Sequence, residues 1–110
     1  MRIDKSAQIA IDRLVVGAVR AWGEVAQITM LAEECIELAH AALKLLRSSG
    51  KSIKARENVI EEIADVILMI NQIRYILEIE DSEIEVILFK KIVRTKKRIE
   101  ECIKDREDKK

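Results

Sequence analysis

Residues 24–48, EVAQITMLAEECIELAHAALKLLRS, decide the fold. Apolar side chains recur there at three- and four-residue intervals, the period of a helix with one apolar face. Gly23 precedes the stretch, and Ser48-Ser49-Gly50 follows it with a glycine suited to the left-handed residue that ends many helices. The stretch therefore predicts a long amphipathic helix. Its expected apolar stripe consists of Ile28, Leu31, Ala32, Cys35, Leu38, Ala39, Ala42 and Leu46.

The same period continues on both sides of this helix. It predicts a first helix over residues 4–21, with Asp4 or Ser6 as its N-cap. A polar loop is expected at residues 51–55, followed by a third helix over residues 56–79. One side of this third helix is expected to carry Val59, Ile60, Ile63, Ile67, Ile70, Arg74 and Leu77.

A fourth helix is expected to begin with Asp81 or Ser82 as its N-cap and to fade into a frayed charged tail, residues 104–110. Residues 66–70 of the third helix are apolar on every side, which indicates burial all round. A bundle of four short helices rarely encloses one of them completely. We therefore expect this part of the third helix to meet a second subunit.

Composition agrees with an all-α chain. The 110 residues are 49% hydrophobic and 36% charged, with no proline and three glycines, so turn-formers are few and helix-formers many. This length predicts a single domain over residues 1–110 whose core is marginal without association. We predict an antiparallel bundle of about four helices, completed by oligomerisation. Cys35 is expected to pack as a small hydrophobe, and neither cysteine has metal-ligand spacing.

The charge balance limits the classes of binding partner that we expect. Twenty basic and twenty acidic residues give no net charge, which argues against nucleic acid as an obligate partner. No apolar run reaches the length of a membrane span, and no signal peptide is recognisable, so a cytoplasmic protein is expected. The basic residues are still clustered, in the fourth helix, at Lys90, Lys91, Arg94, Lys96, Lys97 and Arg98.

Two acidic clusters interrupt the apolar helices, at residues 33–37 and 61–65. Glu34 and Glu37 stand three residues apart, as do Glu62 and Asp65, which places each pair on one helix face. Glu34 and Glu62 each lie at the edge of an apolar stripe, and few basic residues stand three or four positions further on to neutralise the four acids. Glu33 and Glu61 project outward.

Two such pairs on facing helices would form a nest of four carboxylates. Like charges at that distance repel, and burial adds to the cost. A hard divalent cation compensates both effects, and oxygen ligands favour Mg²⁺, with Mn²⁺ as a substitute. We therefore expect Glu34, Glu37, Glu62 and Asp65 to be metal ligands. Isolated Glu-x-x-Glu pairs on solvated helix surfaces are common, so the argument depends on the pairing.

The paired motif, Glu-x-x-Glu followed after about two dozen residues by Glu-x-x-Asp, resembles that of the all-α nucleoside triphosphate pyrophosphohydrolases. These are the MazG-like enzymes, with relatives among the dimeric dUTPases and the dCTP pyrophosphatases. The resemblance extends from residues 22–27 through residues 33–38 and 61–68 to about residue 98. Either half of the motif alone is weak, and the pair on two helices is fairly specific.

The resemblance implies hydrolysis of a nucleoside triphosphate to its monophosphate and pyrophosphate. It implies that magnesium held by the four acids grips the triphosphate, and Glu34 or Glu37 is the expected general base. It also implies that Lys91 and Arg94 bind phosphate, with Lys44 as a second candidate on the side of Glu37.

Candidates for contacts to the base or sugar are the amides of Asn71 and Gln27 and the rings of Trp22 and Tyr75. Trp22 is equally compatible with a packing anchor at the helix junction, and His40 with a polar surface residue. A single copy of the motif and few aromatic residues favour broad removal of unwanted nucleotides over narrow base specificity.

We weighed two other functions against this pattern of residues. The chain can be a non-catalytic helical module for oligomerisation or interaction, in which the acids are surface charge. A di-iron carboxylate bundle requires two Glu-x-x-His pairs, and only Glu37 and His40 have that spacing, so we set it aside. The expected assembly is a homodimer or homotetramer.

Overall fold

A computed structural model describes residues 3–109, so Met1, Arg2 and Lys110 lie outside the described residues. The described residues form four α-helices and no strand, which confirms the all-α prediction. The helices are α1 (Lys5–Trp22), α2 (Glu24–Arg47), α3 (Ile53–Ile76) and α4 (Asp81–Asp108).

The N-terminus of α1 and the break after it follow local sequence signals. The Asp4 carboxylate accepts a hydrogen bond from the backbone N–H of Ala7 at 2.8 Å, so Asp4 and not Ser6 is the N-cap. The Ser6 hydroxyl donates to the same carboxylate at 2.7 Å. Gly23, at φ +87°, separates α1 from α2 as predicted.

The turn between α2 and α3 is shorter than predicted. Gly50 takes a left-handed φ of +72°, as expected after a helix end, and its N–H donates to the Leu45 carbonyl at 2.9 Å. The polar loop predicted at residues 51–55 is wrong from Ile53 onward. The Ser52 hydroxyl accepts from the Ala55 N–H at 3.1 Å, so α3 begins three residues earlier than predicted.

The turn between α3 and α4 also differs from the prediction. The third helix ends at Ile76, not at residue 79, because Glu78 adopts a left-handed φ of +54° without being a glycine. The N-cap of α4 is Glu80, in place of Asp81 or Ser82. Glu80 and Glu83 form a capping box in which the Glu80 N–H donates to the Glu83 carboxylate at 2.8 Å. The helix continues to Asp108 and so includes most of the charged tail, and fraying of that tail stays a prediction.

The chain divides into two compact units. The first ends at Glu78 and contains α1, α2 and α3; the second begins at Ile79 and contains α4. Within the first unit, α2 packs mainly against α3, and α1 contacts both. The short turn at residues 48–52 makes α2 and α3 antiparallel neighbours.

The packed interior of the first unit is small and partly polar. Its buried apolar residues are Val15, Ala18, Ala41 and Met69. Two glutamines, Gln27 on α2 and Gln72 on α3, are buried with them. A core of this size agrees with the expectation that the chain is marginally stable without association.

The inner face of α2 shares only Leu31 and Leu38 with the predicted apolar stripe. Ile28, Cys35 and Leu46 are exposed, Leu46 at 72% of its surface, so the expectation that Cys35 packs as a buried hydrophobe is wrong. The face turned inward carries Gln27 and Ala41, both buried, together with half-buried residues, namely Leu31, Glu34, Leu38 and Leu45. A stripe chosen by hydrophobicity alone is displaced toward the outer face because the inner face contains polar side chains.

Burial along residues 66–70 of α3 is incomplete in the single chain. Met69 is buried, Val66 to Leu68 are half-buried, and Ile70 is 44% exposed. The expectation that a second subunit covers this part of α3 stays a prediction. No individual helix among the described residues is long and apolar enough to cross a membrane; α1 and α2 pass that test only as a pair bent by 116°.

Candidate metal centre

Three carboxylates meet between α2 and α3. Glu34 of α2 and Glu62 and Asp65 of α3 each offer a carboxylate oxygen within 4.8 Å of the other two. Glu62 and Asp65 stand three residues apart and so share one face of α3, and the antiparallel packing brings Glu34 opposite them. The predicted convergence of the two acidic motifs is confirmed for these three residues.

One oxygen of the Glu62 carboxylate lacks a compensating partner. Its Oε2 atom is buried and has no hydrogen-bond partner. A buried charged oxygen without a partner costs about 1–3 kcal/mol or more, so native proteins rarely keep one. Glu34 is likewise half-buried, whereas Asp65 is exposed. Such an oxygen in an acidic cluster indicates that a hydrogen-bond donor or a cation would be favourable there.

The pKa of the Glu34 carboxyl also reflects burial within this acidic group. Burial raises the pKa of the Glu34 carboxyl above its ordinary value, and the charges of Asp65, Glu62 and Glu37 raise it further, as does a side-chain hydrogen bond with Glu62. The folded chain without a cation therefore disfavours the ionised form of Glu34. A divalent cation between the carboxylates would reverse this preference.

The other acids of the two motifs are distributed around this group. Glu37 is exposed and is not among the three grouped oxygens, although its charge acts on Glu34. Glu33 and Glu61 are exposed, which confirms that they project outward. The structure thus reduces the expected nest of four carboxylates to three plus one neighbour.

The donor set and spacing fit a hard divalent cation. Magnesium binds oxygens at about 2.0–2.1 Å, so ligands on opposite sides of the ion are about 4 Å apart. Three oxygens within 4.8 Å of one another lie close to the separation that a single ion bridges. The group contains only carboxylates, which suits magnesium or manganese better than zinc or copper.

Lys44 lies beside a cavity of about 560 Å³ at the turn between α2 and α3. The cavity wall also carries Lys54 and the N-cap Ser52 of α3. Glu61, next to Glu62 in sequence, lines the same cavity. A lysine two to three turns beyond Glu34 thus faces an open polar space on the α2–α3 hairpin, as a phosphate contact requires.

The remaining basic candidates lie elsewhere. Lys91 and Arg94 are exposed on α4, which belongs to the second unit. Lys91 borders two shallow apolar grooves along that helix, together with Leu88. The role of Lys91 and Arg94 in phosphate binding stays a prediction.

Of the candidates for base contact, Asn71 is already engaged within the first unit. Its Nδ2 donates to the Ile67 carbonyl at 2.9 Å, and its Oδ1 accepts from Gln8 Nε2 of α1 at 3.4 Å. Trp22 is 67% exposed, which excludes a buried packing anchor and leaves its ring open to contact. Tyr75 and His40 are exposed as well.

Gln27 has a different environment from the one predicted. Its side chain is 2% exposed, and neither Nε2 nor Oε1 has a hydrogen-bond partner. Gln72, which the sequence reading missed, is 3% exposed with an unpartnered Oε1. Its distance of seven residues from Asp65 was the available signal, because seven residues return nearly to the same helix face.

Buried amides and a partly exposed carboxylate group thus lie on α2 and α3. Comparison of the chain with protein-family models, with curated proteins and with solved structures finds no match.

Proposed function

We propose that this chain is a magnesium-dependent nucleoside triphosphate pyrophosphohydrolase, which converts a nucleoside triphosphate to its monophosphate and pyrophosphate. The observation that carries the proposal is the buried, unpartnered Oε2 of Glu62 within a group of three carboxylates from two facing helices. The paired Glu-x-x-Glu and Glu-x-x-Asp motif, with its resemblance to the MazG-like enzymes, supplies the reaction class.

The proposed reaction needs charge neutralisation and an activated water molecule. Water oxygen forms a bond to the α-phosphorus while the bond from that phosphorus to the α–β bridging oxygen breaks. Pyrophosphate leaves with that oxygen and its electron pair, and a carboxylate takes the proton of the water. Glu34, Glu62 and Asp65 would hold a magnesium ion, which would supply neutralisation of phosphate charge and a lowered pKa for coordinated water.

The carboxylates then divide into two roles. Glu34, Glu62 and Asp65 hold the cation, since their oxygens are grouped. Glu37 is the better candidate for the general base, because it is exposed beside the group rather than within it. Lys44, Lys91 and Arg94 are the proposed phosphate contacts, and Trp22 and Asn71 remain candidates for the nucleoside.

Assembly is part of the proposal. Large apolar side chains are exposed on the outer faces of α2 and α3, including Ile28, Leu46, Ile63 and Ile70. A homodimer or homotetramer that covers these faces would complete the small core of the single chain. We place the protein in the cytoplasm, where nucleoside triphosphates are found, and expect it to remove unwanted nucleotides.

The direct test is pyrophosphate release from a panel of ribo- and deoxyribonucleoside triphosphates with magnesium or manganese. We expect turnover that EDTA abolishes. Glu62→Gln should eliminate it, whereas the matched Glu61→Gln variant, one residue away on the exposed side of α3, should retain it. Absence of turnover across the full panel with both metals would refute the enzymatic proposal.

A non-catalytic interaction module is the second candidate, and the exposed apolar side chains of α2 and α3 favour it. This candidate predicts an assembly that forms equally well with and without divalent metal. It also predicts that the Glu62→Gln variant assembles as the wild type does. Metal-dependent turnover therefore separates the two candidates.

A further inference from the structure

Helix α4 is amphipathic and has no helical neighbour within its own unit. Every residue of α4 is exposed, and the described residues of the second unit contain no other helix. More than half of the side-chain surface of Leu88, Ile92 and Ile99 is open to solvent. Helices in proteins owe most of their stability to the packing of an apolar face. The apolar face of α4 therefore indicates a partner.

Exposed side chains in the middle of α4 form a narrow stripe along the helix, which we call the α4 seam. The spacing of its residues alternates between four and three, which is the a and d spacing with which one helix packs along another. Its members are Leu88, Ile92, Thr95, Ile99 and Cys102. A shallow groove follows the first four of them, with Lys91, Lys96 and Glu100 also along it. The geometry of the seam therefore suits a second helix.

The charges beside the central part of the seam have one sign. Lys91 and Arg98 occupy the g positions on one side, and Lys96 occupies an e position on the other. Residues 86–99 contain six basic residues and no acidic residue, and Glu100 falls at a b position, farther from the seam. Charges at e and g positions decide which helices pair. The seam therefore matches a helix whose apolar stripe has acidic flanks.

A second copy of α4 does not meet this requirement. In a parallel pair of α4 helices, Lys91 would face Lys96 of the copy, and in an antiparallel pair it would face Arg98. Either arrangement brings like charges together, which disfavours pairing. A nucleic acid would contact the basic side chains but leave the apolar seam in water. An acidic amphipathic helix satisfies both the seam and its flanks.

We propose that the α4 seam binds an amphipathic helix of another protein that carries aspartate or glutamate on both sides of its apolar stripe. Apolar side chains of the partner pack along the seam, and its carboxylates pair with Lys91, Lys96 and Arg98. This interaction does not require the proposed enzymatic activity. Because Lys91 is also a proposed phosphate contact, a docked helix would withdraw it from a nucleotide.

Binding of two synthetic helical peptides to the full chain tests the proposal. Both peptides carry leucine at their a and d positions, and they differ in having glutamate or lysine at every e and g position. The glutamate peptide should bind about tenfold more tightly or better, with a difference that shrinks at high salt. Fluorescence anisotropy of the labelled peptides measures both affinities. Equal affinities would overturn the proposal.

Two double variants with the same change in net charge locate the effect. Lys91→Glu with Lys96→Glu reverses charges beside the seam and should remove or invert the preference for the glutamate peptide. Lys90→Glu with Lys97→Glu alters f positions, on the side of α4 away from the seam, and should preserve that preference. Equal losses in the two variants would mean that the overall charge of α4 attracts the peptide, which would refute recognition by the seam.

Ile92→Ser and Val93→Ser test the apolar contribution. The two side chains are similarly exposed, at 57% and 54%, but only Ile92 belongs to the seam. Only Ile92→Ser should weaken binding of the glutamate peptide. Binding to vesicles that contain phosphatidylserine, in place of the peptide, would assign α4 to a membrane surface. A lower mass of the free protein in Ile92→Ser alone would assign the seam to a second copy, and either result would overturn the proposal.

Discussion

Glu34 of α2 and Glu62 of α3 face each other across the seam of the hairpin, with carboxylate oxygens within 4.8 Å. Each belongs to a motif with a second acid three residues further on, and Asp65 completes the group. Burial raises the pKa of Glu34, the neighbouring carboxylates raise it further, and one oxygen of Glu62 is buried without a partner. Without a cation the contact opposes folding, and with one it becomes favourable.

Removing the charge of Glu34 should stabilise the metal-free protein. A raised pKa in the folded state means that folding favours the protonated carboxyl, so the free energy of unfolding falls as pH rises above the ordinary value of 4.5. Glu34→Gln should therefore melt at a higher temperature than the wild type at pH 7 in EDTA. The difference should vanish below pH 4.5.

Glu33→Gln is the control for this measurement, because Glu33 is exposed and lies outside the carboxylate group. It should change the melting temperature little at any pH. A lower melting temperature for Glu34→Gln at pH 7 in EDTA would show that its carboxylate is already compensated in the metal-free chain, against the arrangement described above.

Magnesium or manganese should raise the melting temperature of the wild type. A ligand at 100 times its dissociation constant stabilises the folded state by about 2.7 kcal/mol. For a domain of this size that corresponds to about 10–20 °C. Thermal melts over a range of metal concentrations measure the effect, and Glu62→Gln should remove most of it.

A separate control tests whether the metal-induced rise in melting temperature arises at the carboxylate group. Glu61→Gln should shift with metal as the wild type does, because Glu61 is exposed beside the group. Magnesium chloride and sodium chloride at equal ionic strength separate site binding from screening. An equal shift in Glu61→Gln and Glu62→Gln would mean that the metal acts at another place on the chain.

The fold was predictable where a local signal decides it. Asp4, Gly23 and Gly50 ended or started helices as their chemistry indicates. The prediction failed at Glu78, whose left-handed backbone has no sequence signal, and at Glu80, where the capping box starts with a glutamate in place of serine or threonine.

The sequence predicted that the two acidic motifs pair, but it did not predict which of their carboxylates converge. The three-residue spacing identified Glu34, Glu62 and Asp65, and only the packing of α2 on α3 excluded Glu37 from the grouped oxygens. Gln72 was missed because a lone amide among apolar residues resembles any surface polar residue in sequence. Burial with an unpaired atom is a property of the folded hairpin.

Glu37→Gln should separate catalysis from metal binding. Because Glu37 lies beside the carboxylate group rather than within it, its replacement should preserve the metal-induced rise in melting temperature. As the proposed general base, it should contribute about 10²–10⁴ in kcat. Steady-state pyrophosphate release and thermal melts on the same preparation measure the two quantities. Loss of the metal-induced shift would make Glu37 a ligand.

Ser52→Ala should destabilise the hairpin that holds the site. The Ser52 hydroxyl caps α3 by accepting from the Ala55 N–H at 3.1 Å. Loss of such a cap costs about 1 kcal/mol, or about 4–8 °C in a domain of this size. Ser82→Ala is the control, since Ser82 is exposed in the first turn of α4 and caps neither α3 nor α4. Equal melting temperatures for the two variants would deny the cap a role in stability.

Ile70→Lys should weaken the assembly without unfolding the chain. Ile70 is 44% exposed in the single chain, so a lysine there reaches solvent and removes little packing within the first unit. In a dimer that covers this face of α3, the same lysine would place a charge at an apolar interface, which is strongly unfavourable. Light scattering coupled to size exclusion should show a smaller species for Ile70→Lys than for the wild type at equal concentration.

Ile53→Lys provides the comparison for that assembly test, because Ile53 is exposed at the very start of α3, away from residues 66–70. It should keep the wild-type mass if the interface is centred on those residues. Helical circular dichroism of Ile70→Lys at the wild-type level would confirm that dissociation and not unfolding is observed. An unchanged mass for Ile70→Lys would move the interface to another face, of which the exposed stripe of α2 with Ile28 and Leu46 is the next to test.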